Sequence, residues 1–183
     1  PVQSGYIYDE ILRLREKHPN IPLYAIVTDI CASGGYYVAA AAEKIYADQA
    51  SLVGSIGVRM DNFGVVEAMK KLGIERRTLT AGENKAMLDP FSPSNPKVKQ
   101  HLQGLLDNIH NQFINAVKQG RGDRLKEIDD MFSGLIWTGD QSVELGLVDD
   151  PVVASEREEV AQQRIGPAGE RVENAGPVLA RDV

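Results

Sequence analysis

The sequence predicts an α/β layer fold with a mostly parallel sheet. Short apolar segments with strand character alternate along the chain with segments in which apolar residues recur at helical spacing. Such alternation is typical of strands that lie side by side and are connected by helices. The 183 residues are enough for one domain with a sizeable core, and the 43% hydrophobic and 25% charged content is ordinary for a globular protein.

The clearest strand-to-helix unit lies near the start of the chain. Residues 21–28 form a short, nearly continuous apolar run, which predicts a buried strand. A turn of small residues follows at 29–35, and an alanine-rich helix begins near Ser33. Small residues suit this turn because backbone and neighbouring elements approach closely where a strand runs straight into a helix.

Further elements follow from local signals. Residues 5–17 have apolar residues at helical spacing, and a long helix is predicted after Asn95, because proline at position 96 suits a first helical position and an apolar stripe follows. The remaining predicted helices run from about residue 62 to 72 and over 141–145. The remaining predicted strands are 44–48, 52–58, 76–80 and 135–137, with a loop over 81–96.

The chain divides by character at its end. Residues 1–150 are predicted to form the main domain, whereas 151–183 are expected to be a tail that is partly helical or disordered. Because a predicted helix begins almost at once, we expect the first strands and any membrane anchor to lie upstream of Pro1.

Composition excludes several classes of function. A net charge of −6 argues against a nucleic-acid partner, and a single cysteine excludes an internal disulfide. No apolar run is long enough to span a membrane. Gly34-Gly35 is not followed by the Lys-Ser/Thr of a phosphate loop, and we predict neither a cofactor nor a metal.

Ser33 is a candidate nucleophile. A serine at the first turn of a helix lies near free backbone N–H groups and the positive end of the helix dipole, and such N–H groups stabilise an oxyanion. The Gly34 N–H is therefore a candidate oxyanion donor. Serine is also a preferred N-cap, and the local pattern alone favours that role for Ser33.

Lys85 is the preferred candidate base. It lies in a loop after a predicted strand, where apolar neighbours help to exclude water. A lysine acts as a base only in its neutral form, which burial favours. Ser55 is a candidate for the hydroxyl that orients such an amine. Each residue also has a plainer interpretation, Lys85 as a solvated loop lysine and Ser55 as a small residue packed at a strand end.

Other residues remain alternatives for the same chemistry. Cys31 lies in the same turn as Ser33 and is the rival nucleophile, although a single cysteine is more often a small buried hydrophobe. The histidines are His18, at a helix end, and His101 and His110 on the long helix. Nine residues of separation place the last two on opposite faces of that helix, so they cannot act as a pair.

Six motifs in fixed order resemble a known family, and together they cover roughly residues 1–150. The first three are Ala32-Ser33-Gly34-Gly35-Tyr36-Tyr37, Leu52-Val53-Gly54-Ser55-Ile56-Gly57-Val58 and Ala81-Gly82-Glu83-Asn84-Lys85. The others are Gly120-Arg121-Gly122, Trp137-Thr138-Gly139 and Gly146-Leu147-Val148-Asp149. In this order the chain resembles the signal peptide peptidase A family of serine proteases, whose Ser-Pro-Gly-Gly segment would lie just before Pro1.

The resemblance implies a ClpP/crotonase-like fold and a Ser-Lys dyad, with Ser33 as nucleophile, Lys85 as general base and Ser55 orienting the lysine. It further implies peptide substrates, namely signal-peptide remnants or other unfolded segments, and self-assembly into rings or domes. In some members the serine and the lysine come from neighbouring subunits. It also implies attachment to the bacterial inner membrane through a segment outside this chain, with the catalytic domain outside the cytoplasm.

Two alternative functions share features with this prediction. A crotonase-like acyl-CoA enzyme would have the same fold and an oxyanion hole but would need no serine nucleophile. A non-catalytic assembly subunit would keep the fold and the self-association without the chemistry. A serine-reactive probe separates the protease from both, because it labels only an activated serine.

Overall fold

The computed structural model describes residues 2–151, and the predicted tail lies almost wholly outside them. The helices are α1 (Val2–Lys17), α2 (Gly34–Ala39), α3 (Val66–Lys71), α4 (Pro96–Arg121) and α5 (Gly139–Glu144), with a 3₁₀ turn at Gly122–Arg124. The strands are β1 (Tyr24–Val27), β2 (Ile30–Ala32), β3 (Lys44–Ala47), β4 (Leu52–Gly54), β5 (Ile136–Thr138) and β6 (Asp150–Pro151).

Within residues 2–151 the strands form two three-stranded sheets. The first has the order β1-β3-β6 and is parallel throughout. The second has the order β2-β4-β5, in which β2 and β4 are parallel and β4 and β5 antiparallel. Parallel pairs need crossover connections, and helix α2 supplies one between β2 and β4. The predicted α/β class with a mostly parallel sheet is confirmed.

The first predicted strand, 21–28, is divided differently in the structure. Strand β1 ends at Val27, and Ile30–Ala32, which was predicted to be part of a turn, forms a second strand. The chain leaves one sheet for the other here, because Tyr24–Val27 pairs with β3 whereas Ile30–Ala32 pairs with β4.

Three other predictions differ from the structure: one strand is shorter than predicted, one does not form, and one helix begins later. The strand predicted at 52–58 ends at Gly54, because Gly54 and Ser55 have φ angles of 112° and 50°, which break the extended backbone. No strand forms at 76–80, where Leu79 is fully exposed and Arg76 forms an ion pair with Asp89. The predicted helix near residue 62 begins only at Val66.

The core is formed by strands of both sheets together with helices α1, α2 and α4. Alanines 39–42 are buried and allow close approach of helices, and at Gly120 of α4 a Cβ atom would collide with the Ala40 carbonyl. The Tyr36 side chain is buried in the core, and its hydroxyl donates to the Leu147 carbonyl at 2.7 Å. The same core contains the fully buried apolar side chains of Ile45, Val53, Ile56, Val117 and Met131. This core fixes the turn between β2 and α2, where Ser33 lies.

Candidate active site

Ser33 connects the end of β2 to the start of α2. Its amide donates to the Gly54 carbonyl at 2.8 Å, which fastens the turn to the end of β4. Ser33 occupies the N-cap position of α2, yet its hydroxyl makes no capping hydrogen bond. The side chain is exposed. The capping role that the local pattern favours is therefore not performed by the hydroxyl, which is free for another partner.

The backbone at Ser33 is strained. Its φ is 51° and its ψ is −120°, a conformation that glycine adopts readily and a residue with a Cβ atom avoids. Among residues 2–151, Ser33 and Ser55 are the residues other than glycine with positive φ. Strained backbone persists where the surrounding structure over-determines it, and it clusters at active sites. A strained strand-to-helix turn is also where α/β-hydrolases carry their nucleophilic serine.

A small cavity of about 60 Å³ opens beside Ser33. Tyr37 of α2 and Phe113 of α4 form part of its wall, with their rings stacked at a centroid distance of 4.8 Å. Gly34 lines the same cavity, and its amide has no acceptor among residues 2–151. The other lining residues are Gly57, Val58 and Ile109. The structure thus brings the candidate nucleophile and the candidate oxyanion donor together in one recess.

Ser55 lies in a tight turn next to this recess. Its amide donates to the Leu135 carbonyl at 2.7 Å, and its own carbonyl accepts from the Gly57 amide at 2.9 Å. Gly54, which accepts from Ser33, has no room for a side chain because a Cβ atom would lie 2.8 Å from the Trp137 ring. The turn is therefore held against both Ser33 and strand β5.

Lys85 lies in the exposed loop between α3 and α4. Its amide donates to the Gly82 carbonyl at 3.1 Å, and its ammonium has neither a hydrogen bond nor an ion pair within residues 2–151. Lys85 is not among the residues that line the Ser33 cavity. Its neighbours Asn84 and Ala86 instead line a larger cavity of about 600 Å³ against α4.

The rival residues have distinct environments. Burial raises the pKa of the Cys31 thiol to about 12, which disfavours the thiolate that a cysteine nucleophile requires. His18 and His101 are exposed. His110 is half-buried, and its Nε2 atom lies 3.0 Å from the Ile56 carbonyl oxygen, in the turn of Ser55. Sequence reasoning missed this contact, because nothing in the local pattern relates residues 54 positions apart.

Residues 2–151 contain neither a candidate metal site nor a membrane-spanning helix. Residues 2–151 hold no group of three or more His, Cys, Asp or Glu side chains that could bind a metal ion. No helix within the same residues is long and apolar enough to cross a membrane.

Comparison with known proteins gives the following similarities. The chain is 46% identical over 149 residues to a protein of Brucella melitensis named Na(+)/H(+) antiporter NhaA, covering 81% of this chain and 20% of that protein. It is 29% identical over 147 residues to the chloroplastic serine protease SPPA of Arabidopsis thaliana, covering 80% of this chain and 21% of that protein. The chain thus spans about a fifth of the length of these two relatives.

A solved structure of an enoyl-CoA hydratase/isomerase family protein from Silicibacter pomeroyi is also similar. Its sequence identity is 16% and its TM-score 0.43, over 82% of this chain and 44% of that one.

The family match covers most of the chain. The sequence model described as peptidase family S49 matches residues 15–165. This match confirms the resemblance that the six motifs indicate. The chain belongs to peptidase family S49, the signal peptide peptidase A family of serine proteases.

Proposed function

We propose that this chain is the catalytic core of a serine endopeptidase that works with a Ser-Lys dyad, in which Ser33 is the nucleophile and Lys85 the general base. The observation that carries the proposal is Ser33 itself. It is held in a strained strand-to-helix turn, its hydroxyl caps no helix, and it faces a recess that also contains Gly34. Family membership makes a peptidase the expected use of such a serine.

The chemistry is acyl transfer. The neutral Lys85 amine takes the proton from the Ser33 hydroxyl as Oγ attacks the peptide carbonyl carbon. The carbonyl oxygen becomes an oxyanion that accepts a hydrogen bond from the Gly34 N–H. This N–H group has no acceptor within residues 2–151, so it is free to bind the oxyanion. When the intermediate collapses, the departing amine takes the proton from Lys85 and an acyl-enzyme remains. Water then attacks this ester as Lys85 accepts its proton, Lys85 passes that proton to the departing Ser33 Oγ, and the peptide fragment leaves with a new carboxyl group.

Ser55 orients the base in this proposal. A neutral amine is weakly directed unless one of its N–H groups has an acceptor, and the Ser55 hydroxyl supplies one. The Ser55 turn is fastened to Ser33 through the hydrogen bond from the Ser33 amide to the Gly54 carbonyl. Nucleophile and orienting hydroxyl are therefore held on one rigid frame, and the loop carrying Lys85 must approach that frame.

Self-association is proposed as the way in which Lys85 reaches a serine. The Lys85 loop is exposed, and Lys85 does not line the Ser33 recess. The same region leaves large apolar side chains in solvent, with Phe63, Leu72 and Leu79 exposed by 80%, 73% and 101%. Apolar surface of this kind is typical of surfaces that bind another protein. We therefore propose a homo-oligomer in which the dyad forms within or between chains.

The proposed substrates are peptides rather than folded proteins. A recess of about 60 Å³ admits little more than a small side chain, so the scissile bond reaches Ser33 only on an extended segment. Signal-peptide remnants and other unfolded segments have this form. The proposed location is the outer side of the bacterial inner membrane, reached through a segment other than residues 2–151, which contain no membrane-spanning helix.

A fluorophosphonate probe tests the proposal directly. It should label the full-length protein, and Ser33→Ala should abolish both the labelling and the hydrolysis of an unstructured peptide. Ser133→Ala is the matched control, because within residues 2–151 the hydroxyl of this exposed serine donates to the Asp130 carbonyl alone, and the change should alter neither result. Absence of labelling at Ser33 would refute the peptidase mechanism, and binding of an acyl-CoA would then separate the acyl-CoA enzyme from a non-catalytic assembly subunit.

A further inference from the structure

His110 of α4 contacts the turn that carries Ser55. Its Nε2 atom is 3.0 Å from the Ile56 carbonyl oxygen, and Ile56 is fully buried. Because a carbonyl oxygen only accepts, the imidazole must donate a proton from Nε2. Two neighbours of His110 on the helix, Ile109 and Phe113, line the Ser33 recess. The contact therefore joins the helical wall of the recess to the Ser55 turn.

The Ser55 turn needs such support because it is strained. Gly54 and Ser55 both have positive φ, and a residue with a Cβ atom keeps that conformation only when its surroundings over-determine it. On one side, the Ser55 amide donates to the Leu135 carbonyl. On the side facing α4, the side-chain hydrogen bond that holds the turn is the one from His110 to Ile56.

We propose that His110 is a positioning residue of the active site, which holds the Ser55 turn so that the Ser55 hydroxyl can meet the base. This inference rests on the proposed function, since it assigns His110 to the same dyad. His110 is not among the residues that line the Ser33 recess, and it acts through the Ile56 carbonyl. Without it the turn relaxes, the Ser55 hydroxyl shifts, and Lys85 loses its orientation.

His110 contributes through the N–H group at Nε2 and not through a positive charge. A neutral imidazole with its proton on Nε2 donates to Ile56, and an imidazolium donates from the same atom. The contact therefore persists whether or not the ring gains a second proton. A glutamine, whose side-chain amide also donates from its end, is accordingly the conservative replacement, and leucine is a replacement without a donor.

Three variants of the full-length protein test this role. In His110→Leu we expect kcat for peptide hydrolysis to fall by roughly 10- to 100-fold with KM nearly unchanged, as for displaced catalytic geometry. His110→Gln should restore most of that loss. His101→Leu, a substitution at an exposed position of the same helix, should leave kcat unchanged. Equal losses in His110→Leu and His110→Gln would overturn the proposal.

A double variant separates positioning from general stability. If His110 acts through Ser55, then His110→Leu combined with Ser55→Ala should lower the fluorophosphonate labelling rate of Ser33 no further than the more severe single variant. Two independent contributions would instead multiply. A multiplied loss, or a loss in His110→Leu that follows only a lowered denaturation midpoint, would show a merely structural role.

Nuclear magnetic resonance tests the role of His110 independently of the proposed peptidase activity. Nitrogen-15 spectra of the imidazole should show the His110 proton on Nε2, and the Ser55 amide resonance should shift in His110→Leu but not in His110→Gln or His101→Leu. A proton on Nδ1 in the neutral ring, or an unmoved Ser55 resonance in His110→Leu, would refute the role of His110. Failure of Ser33 to react with the probe, with these spectra as expected, would refute the peptidase mechanism and leave His110 as the residue that fixes the turn.

Discussion

Arg121 and Asp149 form a buried ion pair where α4 ends. Nη1 of Arg121 lies 2.8 Å from Oδ2 of Asp149, and the Arg121 side chain is fully buried. The same carboxylate accepts from the Ile45 amide at 2.7 Å and from Arg124 at 2.9 Å, and Nε of Arg121 donates to the Gly146 carbonyl at 2.8 Å. The pair therefore fastens the end of the long helix to strand β3 and to the segment that leads into β6.

Asp149→Asn is expected to destabilise the fold strongly. The substitution leaves the Arg121 guanidinium buried without its counter-ion, a change that costs about 3–5 kcal/mol in comparable buried pairs. Urea denaturation should show this as a lower midpoint with an unchanged slope. Glu75→Gln is the control, since the Glu75–Arg77 pair is exposed and its loss should not move the midpoint. Equal midpoints for the native protein and Asp149→Asn would contradict a role for the pair in stability.

The same pair predicts how stability depends on pH. Partial burial alone would raise the pKa of the Asp149 carboxyl, but hydrogen bonds from Arg121, Ile45 and Arg124 and the Arg121 charge outweigh it and lower the pKa below its ordinary value. A lowered native pKa contributes stability above the unfolded value of about 3.9, and that stability is lost as the pH falls through the native pKa. The difference in urea midpoint between native protein and Asp149→Asn should therefore narrow below about pH 4. A constant difference down to pH 2 would oppose this explanation.

Gly120→Ala should destabilise the packing of α4 on α2. An added Cβ atom at this position would collide with the Ala40 carbonyl, a backbone atom that cannot turn aside. We expect a loss of roughly 1–3 kcal/mol, as for other overpacked cores. Gly104→Ala on the same helix is the matched control. No atom of residues 2–151 lies within 4 Å of its added Cβ atom, so the better helix propensity of alanine should stabilise the protein by about 0.5–1 kcal/mol. Similar midpoints for the two variants would argue against close packing at Gly120.

Lys85→Arg should be as inactive as Lys85→Ala if Lys85 is the general base. Arginine keeps the positive charge and roughly the length, but it does not become neutral at working pH. Ser55→Ala should lower kcat less, because it misorients the base without removing it. The measurement is peptide hydrolysis by each variant, with Lys70→Arg, an exposed lysine of α3, as the control. Substantial turnover by Lys85→Arg would exclude the dyad and direct attention to the histidines.

Sedimentation should show the full-length protein as a homo-oligomer at concentrations at which it is active. Because exposed apolar surface near α3 is the proposed contact, Phe63→Glu and Leu79→Glu should weaken association without altering the far-ultraviolet circular dichroism. Ile21→Glu, an equally apolar exposed position before β1, serves as the comparison. An active species that sediments as a monomer would refute the proposed assembly.

The elements that local signals define were predicted well. The long helix begins at Pro96 with the Asn95 side chain accepting from the Lys97 amide at 2.9 Å, a cap and a first-position proline that the sequence displays. The strand predicted at 76–80 was wrong, because a strand requires a partner and none pairs with this segment within residues 2–151. Strand β2 was missed because only its pairing with Leu52–Gly54 distinguishes it from a turn.

The candidate site was predictable in part for the same reason. A run of small residues between a strand and a helix placed Ser33 at a turn, whereas Lys85 and Ser55 as its catalytic partners stay a prediction from the motif order. The hydrogen bond from the Ser33 amide to the Gly54 carbonyl joins β2 to β4, and the contact of His110 with Ile56 depends on how α4 packs. Neither contact can be predicted from the neighbouring residues in the sequence, because each forms only when distant segments of the chain pack together.

The conformations of Ser33 and Ser55 have a consequence for how this chain can evolve. Glycine would occupy either position with no steric cost, whereas a serine there costs on the order of 1–3 kcal/mol. Ser33→Gly should thus produce a protein that is harder to unfold and, if Ser33 is the nucleophile as proposed, unable to form an acyl-enzyme. Selection for stability alone would favour this replacement, and selection for hydrolysis would oppose it. If the proposed mechanism holds, a glycine at position 33 in an otherwise similar chain would accordingly mark a relative that has kept the fold after losing the reaction.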